Sequence, residues 1–370
     1  MNFATFYLFV EQIRIYKAFL KAWSAACGST GILEVPAGKT FRLNPVKFSG
    51  PCKPTSLNFK LGGNIVAPQS IGAYGNNKDY WIIFTNVNGL VFNGGGQIDG
   101  QGSIWWKICK ALLFNNCQYL KLIGTRHLNS ARAHISITNS EHVTVSGLSI
   151  SAPGNSPNTD GFDISDSSYL TIHQTNIGTG DDCIAMNRGT SNINIINVNC
   201  GPGHGISIGS LGKNGANEKV ENVYVGYSSF NGTTNGVRIK TWQNGFGYVR
   251  NVTFEHITVI NTQNPIIINQ NYLDIPNVQD KNQSEAAQGG GLEITGVTYN
   301  DVRGTSATTV AINFDCSSSK GCNKILMDTI SLTSFTSSSS GYGTTALCKN
   351  ARGEAKSVSP EVSCLKKISH

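Results

Sequence analysis

Short alternations of apolar and polar residues recur along the chain from about residue 120. In each, two apolar residues flank one polar residue, and successive pairs start 23 to 30 residues apart. Strict alternation over a few residues is the pattern of a strand that buries one face. The series predicts a repeated short strand at Leu120/Leu122, Val143/Val145, Leu170/Ile172, Ile193/Ile195, Val223/Val225 and Val252/Phe254.

A second alternation precedes each of these strands from the second onward. The intervening residues are mostly Asn, Gly, Ser and Thr, which turn the chain or tolerate positive φ. Helical periods are absent from this region, and the repeat is too short for a βαβ unit. A β-sandwich would not keep two strands per repeat over six repeats, so we predict an all-β parallel β-helix, a solenoid whose coils bury one face on their neighbours. The second alternations are HISIT at His134, FDISD at Phe162, CIAMN at Cys183, GISIG at Gly205 and GVRIK at Gly236.

One short helix is expected near the start of the chain. Phe19, Leu20 and Trp23 form an apolar stripe in KAFLKAWSAAC, and such a stripe suits the capping of an open solenoid end. Since no linker or shift in composition divides the middle of the chain, we expect one β-helix domain over residues 17–370. The segment 1–16 is atypical, because it lacks the basic start of a signal peptide and is too short to span a membrane.

The composition narrows the cellular compartment and the class of ligand that the protein could bind. Only 14% of the residues are charged, below the roughly 25% of average soluble domains, which fits a β-rich secreted surface. The net charge is +7, but no run of five Lys or Arg occurs, which argues against nucleic acid and membrane surfaces and leaves an acidic polysaccharide open. Ten cysteines without zinc spacing indicate disulfides, and sequons at Asn231, Asn251 and Asn282 agree with secretion.

Charged residues fall at matching points of successive coils. Asp160, Asp182 and His204 each stand two residues before the first core position of a second alternation and are spaced 22 residues apart. Because neighbouring parallel strands lie about 4.8 Å apart, Asp160 and His204 should flank Asp182. These residues have the inward parity, so a bend must re-aim them, and Gly161 would permit one.

Three further side chains are expected on the outward face beside this column. Strict alternation places Asp181, Arg238 and Lys240 there. Three clustered carboxylates cannot all ionise freely, and at least one pKa should rise. A carboxylic acid and a carboxylate are the pair that splits a glycosidic bond. A hard-cation site is the alternative, but the neighbouring positive charges oppose it, so we expect neither metal nor cofactor.

Four motifs in this order resemble the signatures of the polygalacturonases, the pectin-cleaving glycoside hydrolases. The resemblance implies a right-handed parallel β-helix that hydrolyses α-1,4 bonds of polygalacturonate with inversion. It also implies a secreted protein of the plant cell wall, which we expect to be a monomer that binds neither nucleic acid nor membrane. The motifs are NTDGFD (Asn158 to Asp163), GDDC (Gly180 to Cys183), GHGISIGS (Gly203 to Ser210) and RIKT (Arg238 to Thr241), and GGGQIDGQGSIWW from Gly94 is similar to plant members.

The resemblance also implies roles for individual residues. Asp181 corresponds to the general acid, and Asp160 and Asp182 to the residues that hold and activate water, with acid and base about 6.5–9.5 Å apart. His204 would lie close to the acid and help to set its protonation. The substrate would be held by Arg238, Lys240, Tyr272 and Asn158, the first two through the galacturonate carboxylate.

Disulfide partners are implied in the same way, as Cys183 with Cys200, Cys316 with Cys322, Cys348 with Cys364 and Cys27 with Cys52. The pairing of Cys109 with Cys117 stays open, because the chain is shorter than its relatives there. Leu273 replaces a cysteine that plant members carry after the equivalent of Tyr272.

Three activities compete for this chain. Internal cleavage by a hydrolase is the first, with a terminal-cutting hydrolase as its variant. A lyase on the same fold is the second; it would be expected to need Ca²⁺ and an arginine base, which has no obvious counterpart here beyond Arg238. A catalytically impaired pectin-binding β-helix is the third, because residues 1–16 replace a segment that family members carry, as expected of a truncated product.

Overall fold

The computed structural model describes residues 3–74, 79–104, 106, 110–272, 291–335 and 343–368. Two compact units make up the chain, Met1–Asp182 and Cys183–His370. Both are built of parallel β-helical coils, as the alternations predict. The expected single domain with a boundary after residue 16 stays a prediction. None of the helices in the described ranges is both long and apolar enough to cross a bilayer.

The first unit begins with helix α1 (Phe3–Ala25), which continues into a π-helical turn, Ala26–Thr30. Short 3-10 turns lie at Ile71–Tyr74 and Gly102–Ile104. Its strands are β1 (Ile32–Val35), β2 (Thr40–Arg42), β3 (Val46–Ser49), β4 (Leu57–Leu61), β5 (Asn64–Val66), β6 (Tyr80–Thr85), β7 (Leu90–Asn93), β8 (Gln97–Asp99), β9 (Lys110–Asn115), β10 (Lys121–Ile123), β11 (Arg126–Leu128), β12 (Ile135–Thr138), β13 (Glu141–Ser146), β14 (Ser149–Ser151), β15 (Phe162–Ser165) and β16 (Ser168–Gly178).

In the second unit a 3-10 turn spans Lys213–Gly215. Its strands are β17 (Ile184–Met186), β18 (Thr190–Cys200), β19 (Ile206–Leu211), β20 (Asn217–Gly226), β21 (Ser229–Asn231), β22 (Asn235–Thr241), β23 (Phe246–Thr262), β24 (Asn264–Asn269), β25 (Glu293–Ser306), β26 (Val310–Asp315), β27 (Cys322–Ser334), β28 (Thr345–Lys349), β29 (Ala351–Ser359) and β30 (Lys366–Lys367).

Three columns of strands run through the first unit, and each strand pairs in parallel with its counterpart in the next coil. One column is β3, β6, β9, β12 and β15. A second is β1, β4, β7, β10, β13 and β16, and the third is β2, β5, β8, β11 and β14, which ends on β16. The sequence pattern predicted only two strands per coil. The third column was missed because β5, β8, β11 and β14 each contain one buried side chain rather than a pair of large apolar residues.

The predicted core positions are confirmed. Every member of the six apolar pairs, from Leu120 to Phe254, is at most 2% exposed. In the second unit the same logic stacks Ile184 on Ile206 and Val237. In the first unit aromatic rings fill the core, with Phe84 stacked on Phe114 at a centroid distance of 5.3 Å. Stacking of like residues at each inward position is the means by which parallel coils bury their faces.

Helix α1 covers one end of the first unit. Trp23 lies 5.0 Å from the ring of Phe48 and 5.5 Å from that of Phe84. Its indole N–H donates a hydrogen bond of 3.0 Å to the carbonyl oxygen of Ser49. Phe19 packs against Phe41. The apolar stripe therefore caps a coil end as expected, although the helix starts well before Lys17.

Candidate active site

Asp160 and Asp182 lie on neighbouring segments of the first unit. Asp160 stands two residues before β15, and the N–H of Gly161 donates a hydrogen bond of 2.9 Å to the carbonyl oxygen of Asp182. This main-chain bond joins one coil to the next, so the two aspartates are neighbours across a strand spacing. Neither belongs to a strand.

The turn that carries the two consecutive aspartates leaves no room for a side chain at Gly180. A Cβ atom there would collide with the carbonyl oxygen of Ser156. The N–H of Gly180 donates to the hydroxyl of Thr159 at 3.1 Å, and the hydroxyl of Thr179 donates to the carbonyl of Asp181 at 3.2 Å. The first bond joins the turn to the coil that holds Asp160, and the second lies within the turn itself.

Asp181 and Asp182 have different surroundings although they are adjacent in sequence. Asp182 is 1% exposed, whereas Asp181 is half-buried. One carboxylate oxygen of Asp181 accepts the N–H of Asp182 at 2.9 Å, and the other accepts the side-chain amide of Asn158 at 3.3 Å. The exposed Asn158 has a left-handed backbone, with φ of 56°. Only Asp181 of the consecutive pair is therefore open to solvent.

In the second unit His204 stands two residues before β19. Gly205 after it has φ of +87°, and a Cβ atom there would collide with main-chain oxygens of Asn235 and Gly236. The carbonyl of His204 accepts the side-chain amide of Asn235 at 3.1 Å. The backbone directly after His204 is therefore in a left-handed conformation that favours glycine. The expected re-aiming of the His204 side chain stays a prediction.

Arg238 and Lys240 alternate with Val237 and Ile239 on β22. The two apolar residues are fully buried in the core, which directs the two cations to the opposite face of the strand. The Nε of Arg238 donates to the hydroxyl of Ser207 on β19 at 2.9 Å. Arg238 is half-buried, and this hydrogen bond to a neighbouring coil positions its guanidinium group.

Lys240 is only 7% exposed, more buried than its outward position suggests. Its ammonium lies 5.3 Å from the ring centre of Tyr272, whose main-chain N–H donates to the carbonyl of Thr241 at 3.2 Å. An aromatic face attracts a cation through its quadrupole. Tyr272 therefore covers and stabilises the ammonium group.

Two residues beside this pair were missed by sequence reasoning. Trp242 meets Tyr272 edge to face at 6.1 Å, and the ammonium of Lys213 lies 5.0 Å from the ring of Trp242. The Lys240–Tyr272 pair and the Lys213–Trp242 pair are therefore in contact with each other through their aromatic rings. The only signal was the place of Trp242 directly after the RIKT motif.

Four disulfides are present among the described residues, with the partners that the resemblance implied. Cys183, directly after Asp182, pairs with Cys200 at a Cα distance of 5.9 Å, and the others are Cys27–Cys52, Cys316–Cys322 and Cys348–Cys364. Cys117 is buried without a disulfide partner among the described residues, and burial raises the pKa of its thiol to about 11. Cys109, Leu273 and Asn282 lie outside the described residues.

Comparisons with known proteins identify the family of this chain. Residues 27–362 match the model of glycosyl hydrolases family 28, and the chain belongs to that family of glycoside hydrolases. A protein named probable polygalacturonase from Arabidopsis thaliana is 46% identical over 355 residues, which cover 94% of this chain and 76% of that protein. A polygalacturonase of Prunus persica is 42% identical over 94% of this chain and 89% of its own length.

A solved structure is similar as well. The endo-xylogalacturonan hydrolase from Aspergillus tubingensis superposes with a TM-score of 0.77 at 26% sequence identity, over 91% of this chain and 92% of that one. The architecture of the coils is therefore that of a known family of polysaccharide hydrolases.

Proposed function

We propose that this protein hydrolyses the α-1,4 bonds between galacturonate residues of polygalacturonate, by internal cleavage and with inversion. Membership in the family and relatives that are named polygalacturonases support the substrate. The observation that carries the proposal is the turn Gly180–Asp182, which offers one aspartate to solvent, buries the next, and is bonded to the segment of Asp160.

Asp181 is the proposed general acid. It gives its proton to the glycosidic oxygen while the bond from that oxygen to the anomeric carbon breaks. Asp160 and Asp182 hold a water molecule on the other side of the sugar ring, and one of them takes its proton as the water attacks the anomeric carbon. The half-buried His204 is proposed to influence the protonation of Asp181.

The substrate is proposed to bind through its carboxylates. Arg238 meets a galacturonate carboxylate with two parallel hydrogen bonds, for which the guanidinium is suited. Lys240, held beneath Tyr272, adds a fixed positive charge. Asn158 orients Asp181 through the hydrogen bond described above. The net charge of +7 attracts a polyanion.

The same proposal covers the setting of the enzyme. We expect a secreted monomer of the plant cell wall that needs no metal or cofactor and binds neither nucleic acid nor membrane. The four disulfides support an oxidising compartment.

The direct test is incubation of the purified protein with polygalacturonate in excess chelator. Reducing ends should rise, viscosity should fall early, and no unsaturated, ultraviolet-absorbing product should form. Proton NMR of the first product should show the β-anomer. If folded protein releases no reducing ends, the hydrolase is refuted; an unsaturated product would identify a lyase, and slow loss of viscosity a terminal-cutting enzyme.

The general acid is tested by Asp181→Asn, which keeps the hydrogen-bonding shape but cannot donate the proton in the same way. Loss of a general acid reduces kcat by roughly 10²- to 10⁴-fold. Asp166→Asn, in the turn after β15, makes the same chemical change elsewhere and should leave kcat unchanged. Near-normal activity of Asp181→Asn in a well-folded protein would show that the acid is another residue.

A further inference from the structure

His134 is buried one coil before Asp160, and it contacts the main chain of that aspartate twice. Its backbone N–H donates to the carbonyl oxygen of Asp160 at 2.8 Å, as a rung between coils. Its ring nitrogen Nδ1 lies 3.1 Å from the same oxygen. The side chain is 1% exposed. One residue therefore occupies both lone pairs of a single carbonyl group.

The neighbouring contacts fix the proton of this ring. The N–H of Ser130 points at Nε2 from 3.2 Å, so that nitrogen accepts and carries no hydrogen. In the neutral ring the hydrogen is then on Nδ1, which donates to the Asp160 carbonyl. Burial lowers the pKa of His134 to about 4, against the smaller opposing effect of main-chain hydrogen bonds with Asp160, Ser151 and Thr159, which agrees with a neutral ring.

The peptide group between Asp160 and Gly161 links three coil segments. Its carbonyl accepts both hydrogen bonds from His134, and its N–H donates to the carbonyl of Asp182 at 2.9 Å. The imidazole thus holds one side of a peptide plane whose other side is bonded to Asp182. Rotation of that plane would move Asp160 and Asp182 relative to each other.

A side-chain donor at this place distinguishes His134 from its counterparts. Ile135 pairs with Phe162, so the residue of the next coil in the position of His134 is Gly161. In the second unit Cys183 precedes Ile184 in the same way, and its N–H donates to the carbonyl of Gly205. Glycine and a disulfide-bonded cysteine offer only the main-chain rung. The extra bond from a ring therefore occurs at the rung that carries Asp160.

We propose that His134 is a positioning residue, whose Nδ1–H bond to the Asp160 carbonyl sets the spacing of the two water-holding aspartates. This inference rests on the proposed function. Since neither Asp160 nor Asp182 is proposed to bind the substrate carboxylate, loss of the bond should lower kcat and leave KM unchanged. A misplacement near 1 Å reduces rates by about 10²-fold.

Two substitutions separate the two ring nitrogens. In His134→Asn the side-chain amide takes the place of Nδ1 and can donate to Asp160, but nothing accepts the N–H of Ser130. In His134→Gln the side-chain oxygen takes the place of Nε2 and can accept from Ser130, but only the main-chain N–H of residue 134 still donates to the Asp160 carbonyl. Each variant keeps one of the two bonds, so their stabilities should fall to a similar extent.

The expected result on polygalacturonate is a loss of kcat of about tenfold or more in His134→Gln, with KM unchanged, and near wild-type kcat in His134→Asn. Urea denaturation of both variants supplies the comparison of stability. Equal losses of kcat in the two variants, or losses that follow their denaturation midpoints, would overturn the role of His134 while leaving the proposed function intact. A wild type that is inactive on polygalacturonate would overturn both.

The tautomer provides a measurement that does not depend on the variants. Nitrogen-15 NMR of the histidine rings in the wild-type protein at pH 7 should show His134 with its hydrogen on Nδ1. A hydrogen on Nε2 would contradict the proposed bond, even if both variants failed to fold.

Discussion

The buried His127 makes this protein less stable in acid, and replacing it should remove that effect. His127 on β11 is 2% exposed and lies in register between Ile98 and Ile150. Its Nε2 is 2.9 Å from the hydroxyl of Thr125, and its Nδ1 has no hydrogen-bond partner in the described part of the chain. Burial, with a smaller contribution from His134, lowers the pKa of His127 from 6.5 to about 3.

The sign follows from linkage between protonation and folding. In the folded state His127 stays neutral down to about pH 3, whereas in the unfolded state it takes up a proton near pH 6.5. Its contribution to stability is therefore complete above pH 6.5 and is lost as the pH falls from there towards 3. Between pH 7 and pH 5 the free energy of unfolding should drop by about 2 kcal/mol from this residue.

The variant His127→Ile continues the isoleucines of β8 and β14 and cannot protonate. Urea denaturation with intact disulfides, at pH 7 and at pH 5, measures the effect. The free energy of unfolding of the variant, relative to wild type, should be about 2 kcal/mol higher at pH 5 than at pH 7. Thr125→Val is the matched control, since it removes the partner of Nε2 but keeps the titrating ring, and its effect should be similar at both pH values. An equal pH dependence in wild type and His127→Ile would refute the reasoning.

Three further predictions concern the cap, the bridges and the turn at Gly180. Trp23→Ala should lower the free energy of unfolding by about 3–5 kcal/mol, because it leaves a cavity beside Phe48 and Phe84. In urea denaturation Trp23→Phe should retain most of the wild-type stability. The double variant Cys183→Ala/Cys200→Ala removes a disulfide between residues 17 apart in sequence and should lower the free energy of unfolding by about 3 kcal/mol. The variant Cys316→Ala/Cys322→Ala removes one between residues 6 apart and should lower it by about 2 kcal/mol. Both losses are measured as falls in Tm. Gly180→Ala should reduce kcat on polygalacturonate more than Gly95→Ala, which adds the same methyl group where a Cβ atom meets open space; equal effects of the two would contradict the crowding at Ser156.

Local periodicity was enough to predict the repeating part of the fold. Inward residues such as Leu120 and Val225 alternate with polar neighbours, and this alternation is a property of the extended chain itself. The order of Asp160, Asp182 and His204 at equal spacing also follows from the repeat. Equal spacing predicted that Asp160 and Asp182 would lie on neighbouring segments, and the hydrogen bond from the Gly161 N–H to the Asp182 carbonyl joins those segments.

The environment of each site residue depended on contacts between coils. Alternation anticipated that Asp181 would be more accessible than Asp182, but it placed Lys240 on the outward face, whereas Lys240 is buried beside the ring of Tyr272, 32 residues later. His134 gave no signal in sequence, because its partners are a main-chain carbonyl 26 residues later and a main-chain N–H, which every residue except proline possesses.

The amino-acid sequence by itself determined a β-helix of repeated apolar alternations and the family to which the chain is similar, while the column of charged residues that it indicates stays a prediction. Only the tertiary structure decided which cation is covered by an aromatic ring and which histidine holds a peptide plane. Alternation acts between neighbours in the chain, whereas burial and hydrogen bonding depend on how each turn places one coil against the next.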